Sequence, residues 1–139
     1  MSYQAALALQ TSIYQALIAN DALRDLVGDR IYDASPAVPP AGVHVAIGPE
    51  DTRDAGDMTG RGSVHELRIS VHSGADEPGG FREAKAVAAQ VTTALESASF
   101  ALATGHLVGI WFVRAKAQRI GNGDGRRVDL IFRARIDLG

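Results

Sequence analysis

The stretch PEDTRDAGDMTGRGS, residues 49–63, holds four acids, two arginines and three glycines, and Asp51, Asp54 and Asp57 recur every third residue. Carboxylates gathered this way are what a bound cation or an acid–base pair requires. The calcium loop of an EF-hand needs oxygen ligands at alternating positions, a glycine at the sixth and a bidentate glutamate at the twelfth. With Asp51 first, Gly56 fits the sixth position, but Arg53 falls third and Gly62 twelfth. The spacing therefore does not build that site. It reads instead as a polar loop over residues 49–62 that orders against a protein partner, with Glu50, Asp51, Arg53, Asp54, Asp57, Met58 and Arg61 as its contact residues.

Other residue types able to do chemistry are similarly uncommitted. Glycines at 121, 123 and 125 would cradle a phosphate only between a strand and a helix, where helix amides meet the anion; here they join two alternating segments, and turn chemistry explains them. His44, His65, His72 and His106 form no H-x-x-x-H or H-x-H pair, and their places suit half-exposed strand histidines. No G-x-S-x-G is present, and no Ser–His–acid set can be read from spacing. The chain has no cysteine, which removes disulfides, thiolate nucleophiles and Cys-ligated metals. No catalytic residue, metal or cofactor is expected, and nothing names an enzyme.

The elements that must position these residues follow from periodicity. Over residues 3–19, Ala6, Leu9, Ile13, Ala16 and Leu17 share a helical stripe. NDALRDLVGD continues as a short second turn or helix, with Asn20 or Asp21 to cap it and Gly28 placed for a left-handed stop. Arg30–Tyr32 is a short extended piece, and the prolines after it forbid helix. VHVAI (43–47) and SVHELRISVHS (63–73) alternate as strands, GADEPGG is a turn, and residues 80–98 repeat Phe81, Ala84, Val87, Ala88, Val91 and Leu95 as a second main helix. The expectation is one α+β domain over residues 1–139. It comprises a mainly antiparallel four-stranded sheet, two helices packed on one face and a long C-terminal hairpin.

That hairpin is the best-specified element. HLVGIWFVRAKAQRI and RRVDLIFRARIDL alternate on either side of GNGDG. Asn-Gly between alternating segments is a strong signal for a two-residue type I′ turn. With Asn122-Gly123 at its centre, Ala117 faces Val128, Ala115 faces Leu130, Val113 faces Phe132 and Trp111 faces Ala134, while Lys116 opposes Asp129 on the other face. Arg119 faces Arg126 near the tip, beside Arg127, and the tip projects beyond the core. Arg114, Lys116, Arg119, Arg126, Arg127, Arg133 and Arg135 then present cations outward, with Ile110, Phe112 and Ile131 among them. Large apolar side chains mixed with arginine favour a protein interface.

Charge supports the same view. Residues 1–100 carry seven Lys/Arg against thirteen Asp/Glu (−6), and residues 101–139 carry seven against three (+4), within a net −2. Opposite-sign surfaces suit head-to-tail association, and the net charge argues against tight DNA binding. No apolar run approaches a membrane span, and the start lacks the features of a secretory signal, so a cytoplasmic site of synthesis with no membrane partner is expected.

Most of the chain resembles the small tail completion or tail terminator proteins of long-tailed phages and related gene transfer agents. The resemblance runs through ALRDLVGDRIYDASP, VHVAIG, the polar stretch, HELRISVHS, the alanine-rich EAKAVAAQVTTAL and the closing hairpin; LVG-x-RIY…P is its most specific part. It implies a virion structural role. A homohexameric ring would sit on the head-proximal end of the tail tube, halt tube polymerisation and offer a surface to the head–neck connector or stopper protein. Its partners would be itself, the tail tube protein and that connector, within a phage or phage-like particle. A small DNA-binding or other neck or adaptor module using the basic hairpin is the alternative.

Overall fold

The computed structural model describes residues 3–34, 36–38, 40–58, 60–73, 81–98, 100–120 and 125–139. Helix α1 (Ala5–Ile18) and the short α2 (Asp21–Val27) precede strand β1 (Ile31–Tyr32); strands β2 (His44–Asp54) and β3 (Gly62–His72), helix α3 (Arg82–Ser97) and strands β4 (His106–Ile120) and β5 (Gly125–Asp137) follow. The stripes expected for α1 and α3 are the faces that are buried. Asn20 caps α2 by accepting the Leu23 amide at 2.9 Å, and Gly28 ends it with φ +62°.

Among the described residues the sheet has five strands in the order β1-β2-β3-β5-β4. It is mainly antiparallel as expected but has one strand more than the expected four, because Ile31 and Tyr32 add a parallel edge against Val45 and Ala46. Among the described residues there are likewise three helices rather than two, since α2 forms a helix of its own. All three helices lie on one side, where Leu9, Ile13, Leu17, Val87, Val91 and Leu95 meet Val45, Ile69, Leu130, Phe132 and Ile136 in one buried cluster.

Two irregularities reset what each strand presents. In β2 the register steps from Ile47↔Ile69 to Glu50↔Leu67, so Gly48 and Pro49 oppose Arg68 alone. This is a β-bulge, and it accommodates a proline that cannot donate to the ladder. A Cβ on Gly48 would lie 3.2 Å from the Arg68 carbonyl oxygen, so the close approach favours glycine. The strand then continues to Asp54, correcting the loop expected over 49–62: only residues 55–61 connect the strands. Pairing with β3 overrides the weak strand propensity of Glu50–Asp54.

In β4 the register slips between Leu107 and Gly109 and again between Phe112 and Arg114. Below the second slip the expected pairs hold: Ala115↔Leu130, Lys116↔Asp129, Ala117↔Val128 and Arg119↔Arg126. Above it they do not. Phe112 pairs Phe132, Trp111 pairs Arg133 and Ile110 pairs Ala134. One extra residue, Val113, moves upstream side chains to the opposite face. Ile110 and Phe112 therefore sit on the helix side, and Trp111 sits with the arginines. The Asn122-Gly123 turn and the GADEPGG turn fall at residues 121–124 and 74–80, outside the described residues.

Candidate functional site

The β2 bulge places Glu50 and Thr52 on the helix side, where they meet His65 of β3. His65 Nδ1 lies 2.7 Å from Glu50 Oε2 and 3.1 Å from Thr52 Oγ1, while Nε2 lies 2.8 Å from Ser63 Oγ. Tyr3 closes the chain by donating its hydroxyl to Glu50 Oε1 at 3.1 Å. The Glu50 carboxylate in turn pushes the Tyr3 phenol above its ordinary range. The polar atoms satisfy one another if Nδ1–H donates to Glu50 and Nε2 accepts from Ser63. The order Ser–His–acid matches that of a hydrolytic triad, yet Ser63 and His65 are 0% exposed, so no substrate carbonyl reaches the hydroxyl. The set ties strands and helix N-terminus together. Spacing alone missed it because the bulge decides which side Glu50 faces.

The aspartates do not converge. Asp51 pairs Glu66 on the helix-free face, Asp54 ends the strand opposite Ser63, and Asp57 accepts the Gly60 amide at 2.9 Å. Among the described residues no group of three His, Asp or Glu can hold a metal. The 55–61 connection is knit to the C-terminal residues. Arg61 N–H donates to the Gly139 carbonyl, Leu138 N–H donates to that of Arg61, each at 2.8 Å, and Arg135 reaches the Ala55 carbonyl at 3.3 Å. A shallow cleft of about 360 Å³ opens beside Asp54, Asp57, Met58 and Arg61, and Met58 is fully exposed.

The basic residues of the hairpin separate into two groups. Arg127 pairs with Asp129 at 3.1 Å, and Asp129 also accepts Ser70 at 2.6 Å and Gln118 at 3.3 Å. Arg133 pairs with Glu66 at 3.2 Å. Arg126 lies 5.5 Å from the Phe81 ring centroid, and its amide donates to Ser73 Oγ at 2.8 Å, so the start of β5 is held against the body rather than projecting. Arg114, Lys116 and Arg119 lie instead on β4, which has no buried residue along its length. That strand also exposes Val108 (58%), Trp111 (41%) and Phe112 (40%).

A second histidine arrangement is likewise invisible in the spacing. His44 and His72 are register partners, and their rings stack 4.7 Å apart at an interplanar angle of 2°, with Tyr32 edge-on to His44. Burial, the facing His72 and nearby Arg30 push His44 down to about 4; burial, then Arg127, also lowers His72, which Asp129 partly opposes. The pair is neutral at pH 7.

These features define an α+β domain whose polar groups serve structure and whose open surfaces are apolar and charged strand. The family model for Tail completion protein gp17 matches residues 11–137, and the chain belongs to that family. It is a structural tail protein, not an enzyme. Among solved structures, a chain of the "Virion of native gene transfer agent (GTA) particle" is 51% identical, covering 98% of this chain and 99% of its own length at a TM-score of 0.88. No curated protein matches. Among the described residues, no helix is long and apolar enough to cross a membrane.

Proposed function

We propose that this protein forms a hexameric ring on the head-proximal end of a tail tube. There it stops tube polymerisation and presents the surface that receives the head–neck connector. The observation that carries this reading is the end-to-end likeness, at 51% identity, to a chain of a gene transfer agent virion, in a member of a tail completion family. The particle is accordingly phage-like and assembles in a bacterial cytoplasm. Its contacts draw on the 55–61 connection and the Glu50–Asp54 strand on one side and on the hairpin cations on the other, with the tail tube protein, the connector and further copies of itself as partners. DNA passes the ring without tight binding, consistent with a net charge of −2 and with Arg127 and Arg133 already paired to carboxylates.

Two measurements test this. Light scattering across concentration should give a mass near six times 14.6 kDa. Particles produced without this chain should carry tails of uncontrolled length; tails of uniform length would remove the terminating role. Salt-sensitive retention of DNA by the monomer would favour a DNA-binding adaptor instead.

A further inference from the structure

We propose that copies of this chain join edge to edge, the outer edge of β2 at Glu50–Asp54 pairing antiparallel with β4 of the next copy. This rests on the ring reading above and assigns its subunit interface. Both edges are open among the described residues. β1 pairs β2 only at Val45 and Ala46, and β4 has a strand on one side alone. A fifteen-residue edge strand with exposed Trp111 and Phe112 is a template for pairing.

Charge selects which edges meet. The open part of β2 carries Glu50, Asp51 and Asp54 against a single Arg53, whereas β4 carries Arg114, Lys116 and Arg119 and no acid. Pairing either edge with itself brings together strands of like net charge, and only β2 against β4 brings together strands of unlike net charge. That contact is heterologous, leaves one edge of each kind free at every step, and closes only as a ring.

Strand direction and sheet face agree with this. The β2-β3-β5-β4 part of the sheet is antiparallel throughout, so β2 and β4 run in opposite directions. Copies related by rotation about a ring axis would therefore continue the antiparallel alternation across each boundary. A continued sheet also keeps all helices on one side. On that side Tyr3 lies at the β2 edge, held by Glu50. On the same side of β4, an apolar groove of about 350 Å³ runs between Ala88 and Ala89 of α3 and Phe112, Ala115 and Ala117. Pairing brings the exposed tyrosine ring to that groove.

The test uses the absence of native cysteine. Asp51→Cys and Lys116→Cys lie on the helix-free face of their respective strands, so the doubly substituted chain should yield a ladder of covalent species up to about six copies with a short bis-maleimide. Each single substitution should yield none. If that pair does not fold, Arg53→Cys with Arg114→Cys, on the same faces, replaces it. Dimers from Lys116→Cys alone would show β4 pairing with itself and overturn the proposal. A ring mass without cross-links in either double variant would overturn the edge pairing and leave the ring standing. A monomeric mass without cross-links would remove both.

Discussion

His65 shows how a single buried polar residue can be structural. Its ring is anchored at both nitrogens, by Glu50 and by Ser63, and is 0% exposed. His65→Ala removes the ring and leaves both partners without it, so a loss of about 2–4 kcal/mol is expected in denaturant unfolding. Ser63→Ala should cost only about 1 kcal/mol, because His65 keeps Glu50. Equal losses from the two would contradict the anchoring role given to Glu50. The stacked His44–His72 pair makes a different prediction. An unfolded histidine takes up its proton near pH 6.5, whereas folded His44 resists until about 4. The unfolded state thus binds more protons across that window, and stability falls as pH is lowered through it, by on the order of 2 kcal/mol. His44→Phe keeps an aromatic stack without a titrating nitrogen and should flatten the thermal midpoint between pH 6.5 and 4. A slope identical to wild type would assign the acid sensitivity to other groups.

At the scale of elements, alternation and turn chemistry were enough to locate every long helix and strand, and the register near the hairpin tip followed from Asn-Gly. The departures share a cause. The extra Val113 carries no local signature, while Gly48-Pro49 reads equally as the end of a strand or as a bulge within one, and each step reverses the facing of residues beyond it. Glu50 therefore read as a loop residue and proved to be a helix-side partner of His65, while Trp111 and Phe112 exchanged faces. A two-residue strand such as Ile31–Tyr32 has too little length for any period to show. One backbone position is demanding in a way only coordinates reveal. Gly105, entering β4, has φ +83°, and a Cβ there would lie 2.8 Å from Ile136 Cγ2 and 3.1 Å from the Asp137 carbonyl oxygen. Gly105→Ala should cost about 2 kcal/mol, read as a lowered thermal midpoint, since both strain and contact oppose it. An unchanged midpoint would mean that the junction relaxes without the β5 edge.

For the whole molecule, the division between an acidic front portion and a basic hairpin acquires a place in space. Three of the acids, Glu50, Asp51 and Asp54, lie along the open part of β2 and three of the hairpin cations, Arg114, Lys116 and Arg119, along β4, at opposite ends of the β2-β3-β5-β4 run of strands. Exposed ion pairs contribute only about 0.2–1 kcal/mol each, so one pair decides little. Several pairs acting at every boundary of a ring decide much more, and salt should weaken assembly while leaving the fold intact. Arg114→Glu with Lys116→Glu should lower association by about tenfold per boundary. Lys116 also opposes Asp129 within its own sheet, so the thermal midpoint of the variant must be followed alongside its mass. The decisive comparison adds Asp51→Lys, on the same helix-free face, to the same chain. If the two edges face each other, the triple variant regains assembly with the charges exchanged, although the substitutions on either edge alone are defective. Failure of the combined variant to assemble, with its fold intact, would place the partner of β4 elsewhere than on β2.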